Sequence, residues 1–484
     1  MKSTKYLFTL LLLFAPFLFT IQAQTSNSKE TKEVLQQLQQ RTQEYGDMAH
    51  SIWEYAELGY QETKSSSLLQ SHLKAEGFTI KKEVAGIPTA FVAEYGSGKP
   101  IIGILAEFDA LPGISQAAVP ERKEVVKGGS GHACGHHLFG AGSTAAAVAV
   151  KNWLKKTGTK GTIRLFGTPA EEGGAGKVYM VRAGLFDNVD AMLHWHPGSS
   201  NGAAAVSSLA NKSAKFRFYG KAAHAAASPE RGRSALDAVE AMNYMANLMR
   251  EHVPMESRMH YVITSGGEAP NVVPSYAEVF YYVRHPEMQE VRTLFDRLVK
   301  TAEGAAIGTG TTMEYEVIHG VYNLLPNETL SELMFKNLQQ VGGVKYNKEE
   351  ELFAKKIIAT FDREGLSPSD AENISPYFVS NKGTGGSTDV GDVSWVVPTA
   401  GMRSATWASG TGAHSWQAVA AGGMSIGTKG MMVSSKTMAL TAIDLFKNPS
   451  LCEKAKMELM KKRGKDFKYE AMLGDREPPL DYRK

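Results

Sequence analysis

Residues 101–112 have the sequence IIGILAEFDALP, in which an apolar run gives way abruptly to acidic residues. The run from Ile101 to Ala106 is nearly continuous, which is typical of a strand buried on both faces of a sheet. Glu107 and Asp109 follow directly, at the strand end where open α/β sheets build their active sites. The stretch therefore predicts a buried strand that carries functional groups at its carboxyl end.

Strands and helices alternate on either side of this stretch. We predict two helices within 30–78, strands over 79–84 and 90–95, a helix over 136–155, a strand over 162–167, a helix over 177–183 and a strand over 191–195. Such alternation indicates an α/β fold with a mixed, mostly parallel sheet and helices on both faces.

The pattern changes near residue 207. A strand over 212–219 precedes a helix over 234–252, strands over 259–265 and 276–283, a helix over 287–305 and a strand over 313–318. This β-α-β-β-α-β order predicts a ferredoxin-like α+β domain. Because the α/β pattern resumes after about 322, we expect residues 207–322 to be inserted between two parts of a catalytic domain, 24–206 and 323–484.

The chain of 484 residues has the composition of a soluble globular protein, with 43% hydrophobic and 21% charged residues. Its formal net charge is +3, and no basic stripe is interleaved with aromatic residues. We therefore expect no nucleic acid partner. The charged tail over 461–484 contains proline, and we expect it to be partly loose.

The first residues have the layout of a secretory signal peptide. Lys2 and Lys5 give a positive start, an apolar run covers 6–21, and the small residue Ala23 follows. We expect a signal peptide over 1–23 with cleavage near Ala23; the alternative is an N-terminal membrane anchor. No later run approaches the ~20 apolar residues of a spanning helix. We therefore expect an exported protein, periplasmic or secreted, with no stable membrane span after cleavage.

The two cysteines, Cys134 and Cys452, are few for an exported protein held together by disulfides. One disulfide between them is an alternative that the sequence leaves open. However, Cys134 lies among histidines in the segment GHACGHH over 131–137, which favours a metal site. Cys452 lies in a predicted charged helix, and we expect it to be structural.

Four separate segments carry candidate metal ligands and catalytic groups. They are the CGH of 134–136, the paired Glu171 and Glu172 after an apolar strand, the HWH of 194–196 at the next strand end, and His414 in a later loop. Taken alone, each segment also has a structural interpretation, such as a buried cysteine, a solvated acidic loop or a hydrogen-bonded histidine. Together they offer a thiolate, imidazoles and a carboxylate, which suits two metal ions that share a bridging ligand. Such a site polarises a carbonyl and generates hydroxide near neutral pH, while a remaining glutamate shuttles the proton.

Eight motifs in order give the chain a resemblance to the M20 metallopeptidase family, over about 40–445. They are AEFDALP (106–112), HACGH (132–136), TPAEEGG (168–174), WHP (195–197), GKAAHAA (220–226), PNVVP (270–274), STDVGD (387–392) and GAHSW (412–416). Within the family the chain is similar to the amidohydrolase branch, and there to the aminobenzoyl-glutamate hydrolase type. The resemblance implies a di-metal exopeptidase-like catalytic domain with an inserted dimerisation domain.

The resemblance also implies a role for each site residue. Cys134 corresponds to the bridging metal ligand and Glu171 to the general base. Asp109 corresponds to an acidic residue that orients a ligand, and His194 to a supporting or packing residue. The remaining metal ligands correspond to His136, Glu172, His196 and His414.

Three residues of the predicted insert correspond to positions that act on the substrate. His224 matches a histidine that family dimers present to the partner's active site, where it donates to the oxyanion. Asn271 and Arg284 match positions that hold the substrate, although Arg284 on a strand also fits a sheet-surface salt bridge. We therefore expect a homodimer.

The resemblance implies that the amide bond of an N-acyl amino acid, such as an aminobenzoyl-glutamate-like amide, is hydrolysed with two divalent ions, zinc or manganese. An exported metallo-dipeptidase is the alternative. If the chain were a non-catalytic binding protein, the base or one of the metal ligands should be missing. The base and all five metal ligands are present. A site with one metal, or with Cys134 oxidised, is a further alternative.

The chain departs from the family pattern in three features. His137 and Glu107 stand where many relatives have Asp. The third departure is the signal peptide, because an exported enzyme meets substrates other than those inside the cell.

Overall fold

The computed structural model describes residues 29–383 and 385–483. The predicted signal peptide over 1–23 lies outside these residues. None of the described helices is both long and apolar enough to cross a membrane.

The strands are β1 (Thr79–Lys82), β2 (Phe91–Ser97), β3 (Ile101–Ala106), β4 (Gly161–Gly167), β5 (Ala191–Gly198), β6 (Ala205–Val206), β7 (Ala210–Tyr219), β8 (Arg258–Ser265), β9 (Tyr276–His285), β10 (Thr312–Val321), β11 (Val379–Ser380) and β12 (Thr399–Ala405). The helices are α1 (29–40), α2 (Thr42–Tyr55), α3 (Thr63–Ala75), α4 (His136–Thr157), α5 (Glu171–Gly174), α6 (Gly176–Arg182), α7 (Ala235–Met249), α8 (Met288–Thr309), α9 (Glu328–Val341), α10 (Lys348–Ile358), α11 (Val390–Val396), α12 (Trp416–Gly422), α13 (Ser425–Lys447) and α14 (Ser450–Arg463).

The larger sheet has the strand order β1-β2-β4-β3-β5-β12. Strands β4, β3, β5 and β12 run parallel, and β2 runs antiparallel to both of its neighbours, β4 and the edge strand β1. All six residues of β3 are buried, which requires cover on both faces and confirms the strand predicted over 101–106. The predicted mixed, mostly parallel sheet is therefore confirmed.

A second, antiparallel sheet has the order β10-β7-β9-β8. Helices α7 and α8 pack on it and enclose a separate apolar core that includes Phe216, Tyr281 and Leu298. The chain order β7-α7-β8-β9-α8-β10 is that of a ferredoxin-like sandwich, as predicted. All four strands lie between residues 210 and 321, within the segment 207–322 that was predicted to be inserted.

Two local expectations are wrong. Residues 29–75 form three helices instead of two, because Arg41 leaves helical geometry with φ −97° and ψ 12° and separates α1 from α2. The tail is packed as far as residue 483, because aromatic and apolar side chains lie among its charges. Tyr469 and Met472 join the core of the second sheet, and Tyr482 contacts Tyr60 near the larger one.

Candidate active site

The carboxyl ends of parallel strands bring the four predicted segments to one edge of the larger sheet. The connection after β3 carries Cys134 and His136, and the loop after β4 carries Glu171 and Glu172. His196 lies near the end of β5. The loop after β12 leads to His414, whose φ of 61° lies in the left-handed region. The predicted clustering at strand ends follows from this common direction.

Cys134 lies at a tight turn before α4. Gly135 has φ 77°, and a Cβ atom at this position would lie 2.6 Å from Cβ of Pro197, so only glycine fits. The turn places Sγ of Cys134 3.4 Å from Nε2 of His196. Both cysteines are buried and free, so the alternative of a disulfide between Cys134 and Cys452 is not observed.

The side chain of Cys134 belongs to two groups of candidate ligands. In the first, Cys134, His136 and His196 have ligand atoms within 4.8 Å of one another. In the second, Cys134 joins Glu172 and His414 under the same limit, and Nε2 of His414 lies 3.2 Å from Oε1 of Glu172. All five predicted ligands therefore lie together, with the cysteine common to both groups.

Asp109 supports ligands from both groups. Its Oδ1 lies 2.8 Å from Nδ1 of His136, and its Oδ2 accepts the backbone N–H of Glu172 at 2.9 Å. The carboxylate is buried with both partners in place. A carboxylate that holds the far nitrogen of a ligating histidine is a common supporting contact in metal sites, so the geometry agrees with the role predicted for Asp109.

The donor atoms fit a divalent cation. With Nδ1 of His136 on Asp109, its Nε2 is buried and makes no hydrogen bond to any residue in the described part of the chain, although Oε2 of Glu107 lies 3.1 Å away. Nδ1 of His196 donates to the carbonyl of Pro197 at 2.7 Å, which leaves its Nε2 facing Cys134. Burial and nearby Glu172 raise the pKa of the Cys134 thiol, so the thiolate needs a bound cation to form readily.

The adjacent glutamates have opposite electrostatic environments. Burial, with the charges of Glu107 and Glu172, raises the pKa of Glu171 well above its ordinary value. Although burial opposes the shift, the hydrogen bond from His414 and the charge of His136 lower the pKa of Glu172. Neighbouring carboxyls with diverging pKa values commonly divide into proton carrier and stable anion. The assignment of Glu171 as the base and Glu172 as a metal ligand stays a prediction.

A buried ion cluster beneath the site escaped the sequence analysis. Nζ of Lys177 lies 2.7 Å from Oε1 of Glu107 and 2.7 Å from Oδ1 of Asp389, and all three side chains are buried. Oε2 of Glu107 in turn lies 3.1 Å from Nε2 of His136. The motif over 387–392, which contains Asp389, is the sequence feature that could have indicated this cluster. Nothing in the sequence identified Lys177 as the partner of Asp389.

The other histidines near the site take no part in the ligand groups found among the described residues. His194 packs against Gly401, where a Cβ atom would lie 2.2 Å from its Nε2, which agrees with the predicted packing role. Burial, Lys177 and Arg403 lower the pKa of His194 to about 3. His137 is buried, with Nε2 3.1 Å from the carbonyl of Gly422.

The three predicted substrate-contacting residues lie on the second sheet and its loops, apart from the ligand groups. His224 and Asn271 are exposed on neighbouring segments, where Ala225 N–H donates to the Asn271 carbonyl at 3.0 Å. Arg284 lies on β9 over the ring of Tyr282, 5.3 Å from its centroid. Nε of Arg284 is buried without a hydrogen-bond partner, and no described carboxylate forms an ion pair with this residue, so the structure shows no salt bridge at Arg284.

Comparison with known proteins connects this geometry to a family. The chain is 44% identical over 441 residues to a p-aminobenzoyl-glutamate hydrolase subunit of Escherichia coli (strain K12), covering 86% of this chain and 92% of that protein. It is 31% identical over 442 residues to the Xaa-Arg dipeptidase of Mus musculus, covering 88% and 91%. The fold matches a dinuclear metal binding peptidase of the M20 family from Bacillus subtilis, with a TM-score of 0.57, 18% identity and coverage of 84% and 99%.

Residues 103–368, more than half of the chain, match the description Peptidase family M20/M25/M40. The relatives confirm the predicted resemblance to the amidohydrolase branch, and with it a metal-dependent amidohydrolase or peptidase. The chain belongs to the peptidase family M20/M25/M40.

Proposed function

We propose that this enzyme cleaves the amide bond of N-acyl amino acids of the aminobenzoyl-glutamate type, with two divalent ions and Glu171 as general base. The observation that carries the proposal is the sharing of Cys134 between two ligand groups, with Glu171 beside them. Glu171 has a carboxylate oxygen within 4.8 Å of ligand atoms of His136 and Glu172. The base therefore lies close enough to the ligands to act on the same water.

One ion would be held by Cys134, His136 and His196, and the other by Cys134, Glu172 and His414. Bound divalent ions would polarise the scissile carbonyl and acidify water. Thiolate and imidazole donors favour zinc, and the carboxylate admits manganese. The dinuclear description of the fold neighbour agrees with this count.

Glu171 moves the proton in the proposed reaction. Its carboxylate takes a proton from the attacking water and delivers it to the departing amine nitrogen as the C–N bond breaks, so that a carboxylic acid and an amine leave. Burial raises the pKa of Glu171, which favours the form of this side chain that holds the proton between the two transfers. Glu172, whose pKa is lowered, remains an anion for metal binding.

The substrate class rests on the 44% identical relative, a p-aminobenzoyl-glutamate hydrolase subunit. A dipeptidase activity is the second candidate, because the Xaa-Arg dipeptidase matches over a similar share of the chain at 31% identity. The test is a panel of N-acyl amino acids and dipeptides, assayed on the metal-free protein with zinc, manganese, cobalt or nickel added. Preference for aminobenzoyl-glutamate and related amides supports the first candidate, and preference for dipeptides supports the second.

We also propose that residues 207–322 form a dimerisation domain. Strand β8 is the edge of the second sheet, and Val262 on it is 56% exposed. Tyr244 on α7 is 67% exposed and Leu248, one turn later, 54%. The edge strand has backbone groups that can pair with a second chain, and the exposed apolar side chains can be buried by the same contact. Val262→Lys should therefore convert a dimer into a monomer in sedimentation analysis, and a wild-type monomer would contradict the proposal.

His224 would then act in the partner's active site. Its Nδ1 accepts the backbone N–H groups of Ala226 and Ala227, which leaves an Nε2–H to donate to an oxyanion. Coexpression of His224→Ala with Glu171→Gln chains tests this role. If His224 acts across the dimer, the mixed dimer contains one intact site and recovers activity that neither variant has alone. If it acts within its own chain, no activity returns.

Export is the last part of the proposal, supported by the positive start, the apolar run over 6–21 and Ala23. Terminal sequencing of the protein recovered from cell fractions tests it. A mature chain outside the cytoplasm that begins near residue 24 agrees with export. An intact first residue on protein found in the cytoplasm contradicts it.

A further inference from the structure

The loop that carries Glu171 and Glu172 has an unfavourable backbone. Ala170 and Ala175 both have φ 57°, in the left-handed region that side chains other than glycine rarely adopt. Between them Glu172 and Gly173 leave helical geometry. Such a conformation persists only when surrounding contacts determine it.

Side chains from earlier in the chain supply part of this support. Oε1 of the buried Glu62 accepts the N–H of Ala170 at 2.8 Å, and Tyr60 donates its hydroxyl to the carbonyl of Gly174 at 2.7 Å. These two bonds fix the loop near its ends, at Ala170 and Gly174. The contact of Asp109 with the Glu172 N–H fixes it in the middle. The carbonyl of Glu172 still needs a partner.

That partner comes from the far end of the chain. Tyr482, 310 residues later, donates its hydroxyl to the Glu172 carbonyl at 3.0 Å. A nitrogen of the next residue, Arg483, donates to the same oxygen at 2.9 Å. The two donors use both lone pairs of that carbonyl, and Arg483 forms no ion pair with any described carboxylate.

The segment before these residues is anchored to helix α11 and to strand β10. Tyr469 donates to Oδ1 of Asp392 at 2.7 Å, and Arg476 donates to the carbonyl of Ile318 on β10 at 3.0 Å. Close to the site, Gln61 donates to the carbonyl of Leu480 at 2.8 Å. Tyr482 and Arg483 therefore reach the loop from an anchored segment.

We infer that Tyr482 and Arg483 are positioning residues that set the orientation of the base and the ligand on this loop. The inference rests on the proposed function, in which Glu172 binds metal and Glu171 is the base. The two donors hold the Glu172 carbonyl toward the tail and so fix the plane of the peptide that follows Glu172. The orientation of this peptide helps to direct the side chains of Glu171 and Glu172. Loss of these donors should loosen the loop without removing any metal ligand.

The test uses the full-length chain with Tyr482→Phe, which keeps the ring and removes the hydroxyl, and Arg483→Met, which removes the N–H donors and the charge. The double variant should bind zinc about 10–100-fold more weakly in titration of the metal-free protein against a chelator. Its amides over 170–175 should also exchange hydrogen faster before any metal is added. Arg483→Lys should recover part of the affinity, and Asp481→Asn on the exposed neighbouring residue should match the wild type.

Unchanged zinc affinity or unchanged loop exchange in the double variant would overturn the inference. Glu172→Gln, measured alongside, separates this result from a failure of the proposed function. If Glu172→Gln binds zinc as tightly as the wild type, the ligand assignment itself is wrong. Faster exchange combined with weaker zinc binding in the tail variant, and with weakened binding in Glu172→Gln, supports both.

Discussion

Oδ1 of Asp109 lies 2.8 Å from Nδ1 of His136, in a position that no solvent reaches. This contact fixes which ring nitrogen of His136 is available to a metal ion. The other oxygen of the same carboxylate accepts the N–H of Glu172. One side chain thus aligns predicted ligands that arrive from two different strands.

Asp109→Asn should weaken metal binding while leaving all five predicted ligands in place. The amide nitrogen cannot accept from either His136 or Glu172, so one of the two contacts is lost. We expect the affinity for zinc to fall about 10–100-fold in a chelator competition. Asp187→Asn, on the surface, is the control. Equal zinc affinity in Asp109→Asn and the control would show that the carboxylate does not orient the ligands.

Cys134→Ser should reduce the number of ions that bind. Cys134 belongs to both ligand groups, so its loss removes a donor from each site at once. We expect elemental analysis to find at most one ion per chain, against two in the wild type. Cys452→Ser, at the other buried free cysteine, should keep both ions. Two ions retained by Cys134→Ser would contradict a bridging role.

Peroxide should release metal from the wild type for the same reason. Oxidation converts a thiolate to a sulfenic or higher acid and removes the soft donor. We expect released zinc to rise with peroxide dose, in a dye assay, as the enzyme loses activity. Reduction should reverse the earliest stage. Activity lost while the zinc stays bound would point to another oxidised residue.

Lys177→Met should destabilise the fold strongly. Glu107 and Asp389 both pair with this buried cation, so its removal leaves Asp389 without a cationic partner among the described residues and Glu107 with only Nε2 of His136. Although burial opposes it, these carboxylates raise the pKa of Lys177, so the lysine is charged. We expect a loss of about 3–5 kcal/mol in denaturant unfolding.

A lysine of a surface pair provides the control for that measurement. Lys355 lies 4.0 Å from Glu351, and both side chains are at least half exposed. Lys355→Met should change the free energy of unfolding by less than about 1 kcal/mol. If Lys177→Met costs no more than Lys355→Met, the buried cluster contributes nothing to stability.

The sequence predicted the architecture because each sheet leaves a local signature. The apolar run of 101–106 marks a strand covered on both sides, and alternation over 212–219 marks one with a single buried face. The predicted ligands converge because parallel strands end at one edge of the sheet. Contacts between distant residues left no such signature. Lys177 and Asp389 are 212 residues apart, and Tyr482 lies in a segment whose composition suggested a loose tail.

Glu171→Gln tests the central claim most directly, with kcat and metal content measured on the same preparation. The variant keeps the size of the side chain and every predicted metal ligand but cannot carry the proton. We predict that kcat falls by about 10²–10⁴-fold or more while the metal content equals that of the wild type. Unchanged kcat with a full complement of metal would contradict the assignment of Glu171 as the general base.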